Sequence, residues 1–514
     1  MHTPTKILFS IALWCCFAAC RQTAAPPPNV LILLADDLGY TDLGCYGSTF
    51  YETPNLDALA ADGFQFTNGY ANCPVCSPSR AAIQTGKYPN RVNVTDWIPG
   101  RAAYNNGNVQ DRWVAPLTGT ELALEEITIA EYLKAEQFQT LFSGKWHLGE
   151  TDNFWPEFQG YDTNIGGNSK GAPQLRKNEG CNGYFSPYCN PRLPDGPEGE
   201  YLTDRLTGET LHWIDQHQKG PFFVNLAYYL VHTPLQAKEK LKAKYEAKAR
   251  QLPPIDSARL LVKNPDWAAT ASQSGSYMER FVQSHATYAA MMESLDQSVG
   301  QLIQALKDKG LYDNTLIIFT SDNGGLSTAE GSPTSNLPLR GGKGWLYEGG
   351  IRVPFIIKPP KNQGKGQKID IPVAGIDLLP TILSYLETDF QPKNGPIDGR
   401  NLRPLMEGNE FEKRRPLFWH YPHYANQGGN PGAVIRQDNM KLIEDFETGA
   451  MELYDLSTDI GEQHNLADER PELRDQLYAE LKAWQDAHAP LRMDVPNTKW
   501  TGKIVDGKEV VEVK

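Results

Sequence analysis

Two acidic strand ends are the first residues in this chain whose types and spacing could do chemistry. Asp36-Asp37 and Asp322-Asn323 each follow an apolar run, 29–35 (NVLILLA) and 315–320, of the kind that forms a strand buried on both faces. A lone Asp-Asp commonly caps a loop or a helix. Two such ends on two buried strands instead converge, because open parallel sheets place their sites at the carboxyl edge. Three carboxylates and one amide oxygen suit a hard cation, Ca²⁺ with Mg²⁺ as the alternative, and no His or Cys pairs at ligand spacing stand nearby to favour zinc. The segment 73–91 (CPVCSPSRAAIQTGKYPNR) begins just beyond a further strand and brings Cys76 toward the same edge.

Cysteine counting singles out a thiol. Lys6 stands before an apolar run over 7–19 that is too short to span a bilayer as a permanent helix, so residues 1–19 read as an export signal. Cys20 follows Phe17-Ala18-Ala19, which resembles a bacterial lipoprotein box apart from Phe17. The pattern favours a lipid anchor on Cys20, with 20–28 as a stiff Ala- and Pro-rich tether, and places the protein in the periplasm or on the outer membrane. Of the eight cysteines, Cys15, Cys16 and Cys20 are then accounted for. An odd set remains, Cys45, Cys73, Cys76, Cys181 and Cys189, so at least one thiol is unpaired. Cys181 and Cys189 flank a loop rich in Gly, Asn and Pro and are expected to form a disulfide. Cys45 and Cys73 are a second candidate pair.

The elements that must position these groups alternate. Helices are expected over 54–63, 77–85 and 127–137, and strands over 64–70, 140–143 and 222–228. A long amphipathic helix carries Tyr288, Met292, Leu295, Val299, Leu302 and Leu306 on one face, with Gly310 as its stop. Such alternation predicts an α/β fold, a mostly parallel sheet sandwiched by helices. The tail differs: short strand-like runs at 433–436, 441–444 and 452–454 precede a closing helix over 471–487. They imply a small C-terminal α+β subdomain with an antiparallel sheet, so the chain divides into a catalytic domain over 29–399 and a subdomain over 400–514. A net charge of −13 argues against nucleic acid or an anionic membrane as partner. Any anionic substrate must meet a local basic pocket.

Cys76-Ser77-Pro78-Ser79-Arg80, with Thr85-Gly86 following, resembles the signature of the formylglycine-dependent sulfatases of the alkaline-phosphatase-like superfamily. The resemblance implies that a maturation enzyme oxidises Cys76 to formylglycine, whose hydrated aldehyde is the nucleophile. It matches Asp36, Asp37, Asp322 and Asn323 to the metal ligands, with residue 76 as a further ligand. Lys145 and His147 (in GKWHLG), His232 (in VHTP) and Lys343 (in RGGKG) match active-site positions. Alone, each would read as a surface charge or a structural histidine; together they form a basic pocket within an acidic protein. In the implied mechanism Arg80, Lys145 and Lys343 offset charge on the transferring sulfate. Asp322 assists the attacking hydroxyl, and His232, aided by Lys343, protonates the leaving alcohol. His147 takes the proton whose loss restores the aldehyde.

The expected substrate is a sulfated carbohydrate, because an exported enzyme meets polymers. The resemblance is greatest to bacterial glycan sulfatases, with a lean toward galactose-type or N-acetylgalactosamine units. Asp96, Trp97, His420 and His423 are the candidate sugar contacts. Phosphodiester or phosphonate monoester hydrolysis is the enzymatic rival, and an inactive glycan-binding lipoprotein is the rival from another class.

Overall fold

Asn29–Ala35 (β1) is buried at every position and pairs in parallel on both sides, the surroundings that its unbroken apolar run requires. Successive side chains leave opposite faces: Leu31, Leu33 and Ala35 enter one core, and Val30, Ile32 and Leu34 the other. The computed structural model describes residues 27–509 apart from 106, 108–110, 254–260, 264–277, 363, 387–393, 413, 501–503 and 506–507. The leader, Cys20 and most of the 20–28 tether therefore lie outside the described residues.

The central sheet also contains Phe64–Phe66 (β2), Gln139–Gly144 (β3), Thr163–Ile165 (β4), Phe222–Ala227 (β5), Thr315–Ser321 (β6), Phe355–Lys358 (β7) and Gln367–Ile369 (β8). Its eight strands run in the order β8-β2-β7-β6-β1-β5-β3-β4. Only β7 opposes its neighbours, so the sheet is mostly parallel as expected. Helices cover both faces. Pro54–Asp62 (α1), Leu202–His217 (α3) and Ala286–Asp308 (α4) pack on one, and Cys76–Thr85 (α2) sends Ala81 and Ile83 into the other.

The strand expected over 64–70 is broken. Gly69–Tyr70 leaves the main sheet to pair with Val373–Ala374. A Cβ on Gly69 would come 2.3 Å from that of Phe355, so this close approach admits only glycine.

Leu417–Tyr421 (β9), Gly432–Gln437 (β10), Met440–Asp445 (β11) and Met451–Asp455 (β12) form the expected antiparallel sheet, closed by Pro471–His488 (α5). β9 was not legible as a strand, because all five of its residues are buried and it shows no alternation. This sheet shares a core with Tyr70, Val75, Ala82 and Trp345. No helix among the described residues is long and apolar enough to cross a membrane.

Cys181 and Cys189 are disulfide-bonded, with Cα atoms 5.5 Å apart. The second candidate pair is corrected: Cys45 and Cys73 are both free and belong to different cores.

Candidate active site

Adjacent strands deliver the acidic groups together. Ala35 of β1 is in register with Ser321 of β6, so Asp36-Asp37 and Asp322-Asn323 emerge side by side at the carboxyl edge. The chain after β5 clasps the same edge. The Asp36 amide donates to the Leu230 carbonyl at 2.8 Å, and the Val231 amide to the Asp36 carbonyl at 2.6 Å, which delivers His232. The Lys145 amide donates to the Ala227 carbonyl at 2.8 Å and anchors the 145–147 turn. Asp37 and His147 both hold φ near +60° (60° and 58°), a conformation that costs about 1 kcal/mol or more in a side-chain-bearing residue and commonly marks a functional turn.

α2 begins at Cys76 and all ten of its residues are buried. Pro78 falls in the first turn, where a missing N–H costs nothing, and Gly86 ends the helix in the left-handed region at φ 66°. Arg80, four residues on, lies on the same helical face as Cys76. The helix N-terminus adds partial positive charge at residue 76. Ser77 donates to the His147 carbonyl at 2.9 Å and accepts from the Ile98 amide at 3.1 Å, tying two loops to this turn.

The side chains interlock. Arg80 places Nη2 2.7 Å from Asp322 and 3.5 Å from Asp36, and donates from Nη1 to the Lys145 carbonyl at 2.7 Å. Lys145 Nζ binds both oxygens of Asp36, at 2.7 and 2.8 Å. Lys343 Nζ lies 2.8 Å from Asp37 and 3.1 Å from His232 Nε2. His147 Nε2 faces the Ile98 carbonyl at 2.8 Å, and its Nδ1 is buried without a hydrogen-bond partner.

A family model described as Sulfatase matches residues 28–388, and one described as N-sulphoglucosamine sulphohydrolase, C-terminal, matches 342–487. The chain belongs to the sulfatase family. It is 30% identical to human arylsulfatase A, over 91% of this chain and 87% of that one. Human N-acetylgalactosamine-6-sulfatase is 31% identical over 77% of this chain and 69% of that protein. A solved structure of Ps i-CgsB in complex with k-i-k-neocarrahexaose superposes with a TM-score of 0.69 at 28% identity, covering 91% of this chain and 95% of that one. The protein is thus a sulfuric ester hydrolase, of a family that works with formylglycine and a divalent cation.

The sulfatase's donor set fits such a cation. One ligand atom each of Asp36, Cys76 and Asp322 lie within 4.8 Å of one another. Asn323 Oδ1 is buried with no partner, while its Nδ2 donates to Asp37 Oδ1 at 2.8 Å. A buried, unsatisfied amide oxygen beside three carboxylates is what a hard cation would relieve.

Burial and charge set the titration of the site. Burial raises Asp36 well above the ordinary carboxylate value, with Asp322 and Asp37 adding to the rise against Lys145 and Arg80. Burial also pushes Asp37 up, but Lys343, His232 and Lys145 outweigh it and hold Asp37 low; Arg80 and Lys145 do the same for Asp322. Burial and then Lys343 bring His232 down to about 4, and burial with Lys145 takes His147 well below the usual histidine range. The Cys76 thiol is raised, chiefly by burial.

Cys76, His147, His232 and Lys343 line a cavity of about 450 Å³ that also admits Trp97. Three expected sugar contacts are corrected. Asp96 is buried and accepts from Tyr421 Oη (2.9 Å) and from the amides of Trp97 (2.9 Å) and Arg101 (3.1 Å), which makes it a loop clamp. His420 points inward from β9 to the Leu491 carbonyl at 2.8 Å. His423 is buried against Thr95 Oγ1 at 2.9 Å. The expectation places Asp96 on a loop returning to the cleft after Gly86 and the two histidines at the boundary of the C-terminal subdomain, but all three side chains are taken up by packing within the protein. The wall instead includes Tyr104, Glu150, Lys170, Gln174, Glu330 and Gln427. Tyr104 stacks on Trp97 with ring centroids 6.2 Å apart, an aromatic pair that composition around Trp97 could have flagged.

Proposed function

We propose that this sulfatase removes sulfate from a carbohydrate, with Cys76 converted to formylglycine and Ca²⁺ held by Asp36, Asp37, Asp322, Asn323 and residue 76. The observation that carries the reading is the layered site: a cationic floor in which Lys343 lines the cavity beside residue 76 while Lys145 and Arg80 lie buried behind it on Asp36 and Asp322, beneath a rim that joins the Trp97–Tyr104 pair to polar side chains. A stacked aromatic face with polar neighbours suits a sugar ring and its hydroxyls. Two of the similar proteins also point to glycans by their names, N-acetylgalactosamine-6-sulfatase and the neocarrahexaose complex.

When present, the formylglycine hydrate supplies the attacking oxygen, and the cation offsets its charge and that of the sulfate. The remaining work falls to this chain's own residues. Lys145 and Lys343 orient the sulfate and Arg80 holds Asp322, all within a dry site where charge is felt strongly. Asp322 accepts the proton released at position 76. Lys343 donates toward His232 Nε2, so the pair presents a proton to the departing alcohol oxygen. With Nε2 committed to the Ile98 carbonyl, His147 keeps Nδ1 as the base that takes the second proton. The unmodified thiol, held protonated by burial, is a poor nucleophile, which supports oxygen chemistry at this position.

The leader-like residues 1–20 and the Cys181–Cys189 disulfide support export, with Cys20 as the lipid-bearing residue. The function is tested by measuring sulfate release from sulfated oligosaccharides beside nitrophenyl sulfate and nitrophenyl phosphate. Turnover of the glycans with little phosphate ester hydrolysis is expected; a preference for the phosphate ester would replace this reading with the phosphohydrolase one.

A further inference from the structure

The cavity wall carries Glu150 and Lys170 as well as Lys343 and Glu330. On the His147 flank, Gly171 packs so close that a Cβ there would come 2.4 Å from the histidine's Cε1, and the adjacent rim residue is Lys170. On the His232 flank the rim residue is Glu330. Glu330 is exposed and holds φ 53°, next to Gly331 at φ 89°, a tight turn at the cavity wall. Its carboxylate is pinned at both ends. Oε1 accepts from Gln427 Nε2 at 2.8 Å, and Oε2 accepts from the hydroxyl of Thr233 at 2.9 Å. Thr233 directly follows His232, whose Nδ1 faces the Thr233 carbonyl at 2.6 Å. A carboxylate offers about four acceptor sites, so both oxygens keep capacity for further donors.

The direction of the reaction says what those donors are. If His232 and Lys343 present a proton to the leaving oxygen, the sugar must lie on the His232 side of the sulfur, with the sulfate on the cationic floor. A fixed carboxylate on that side faces sugar hydroxyls, not the sulfate. From this juxtaposition, which rests on the carbohydrate reading above, we propose that Glu330 is a specificity-determining residue. It accepts a hydrogen bond from the hydroxyl neighbouring the ester, with Gln427 holding it in place. The same negative charge turns away a sugar whose neighbouring carbon carries a second sulfate, since two anions at hydrogen-bond distance repel in a partly desolvated pocket. The enzyme therefore acts on singly sulfated units, or on a doubly sulfated unit only after another sulfatase has removed the neighbouring group.

The test uses matured full-length enzyme and a panel of galactose, N-acetylgalactosamine, glucosamine and fucose sulfates. Each sugar is supplied with either a free hydroxyl or a second sulfate beside the scissile ester. In Glu330→Gln the ratio of kcat/KM for the preferred monosulfated sugar to that for nitrophenyl sulfate should fall by about ten-fold or more, the loss expected for one hydrogen bond to a charged acceptor. The preference for mono- over disulfated sugar should fall as well. Gln427→Ala, which frees the carboxylate without removing it, should reproduce the first loss more weakly. Equal losses on sugar and aryl ester in Glu330→Gln would overturn the assignment and make Glu330 a support for His232. An unchanged mono-to-disulfate preference would overturn the charge filter. If the wild-type enzyme turns over no sugar sulfate at all, the carbohydrate reading falls and the assignment falls with it.

Discussion

The loop that brings Lys343 to the cavity brings Glu348, five residues later, to a second cluster of buried charge beneath the C-terminal sheet. There Lys441 lies 3.0 Å from Glu348 and 2.7 Å from Glu462, all three fully enclosed, and Tyr70 donates to Glu348 at 2.7 Å. Burial, with Glu348 adding to it, raises Glu462 to about 7 against the pull of Lys441, so this cluster too holds a strongly perturbed carboxyl. None of the three lines the active-site cavity, and Arg352 pairs with Glu348 at 3.3 Å from its other side. The histidines divide in the same way. His147 and His232 border the cavity, whereas His420 and His423 are equally dry but face protein. Burial and perturbed titration therefore do not separate a reactive cluster from a structural one. An opening onto substrate space does.

Substitutions on the two sides should break differently. Cys76→Ala should lower sulfate release by about 10³-fold or more while leaving the melting temperature near that of the parent, since the nucleophile is lost and little packing changes. His232→Ala should cost about 10²- to 10⁴-fold in kcat, the range for a lost proton donor, again with the fold retained. Lys441→Met should do the opposite. It removes the cation from buried Glu462 while Glu348 keeps Arg352, so unfolding in denaturant should show a loss of about 3–5 kcal/mol, with kcat of the folded fraction largely kept. A large kcat loss in Lys441→Met with parental stability would erase the distinction.

Acid sharpens the comparison within the C-terminal half. Burial holds His420 and His423 neutral, each down to about 3, whereas in the unfolded chain they titrate near 6.5. Between those values the unfolded chain binds protons that the native one excludes. Their contribution is thus complete above pH 6.5 and is lost as pH falls toward 3. Thermal melts should show lower stability at pH 5 than at pH 8, and His423→Asn should flatten that dependence. The smallest effect belongs to the Cys181–Cys189 ring, with a sequence separation of 8: mild reduction should cost about 2 kcal/mol, read as a modest drop in melting temperature.

The sequence carried the sheet edge well because each ligand-bearing turn follows a long apolar strand. β1 and β6 have bounds that a buried run announces, and Cys76 sits in a motif whose Pro and Arg spacing is set by one helical turn. The cavity rim was less legible. Asp96 and His423 look like sugar contacts as residue types, but their partners, Tyr421 and Thr95, are more than 300 positions away in the chain. Glu330 and Gln427 carry no local signal, since only tertiary packing brings residues from a loop and from the subdomain to one wall. β9 was hidden because a strand buried on both faces loses the alternation that marks a strand in sequence.

The most direct measurement is peptide mass analysis of residue 76 in enzyme made with and without a maturation system, paired with sulfate release from the same preparations. The account predicts an aldehyde at position 76 in proportion to activity, and a folded but nearly inactive protein where the thiol persists. Full activity from protein bearing only the unmodified Cys76 would contradict it.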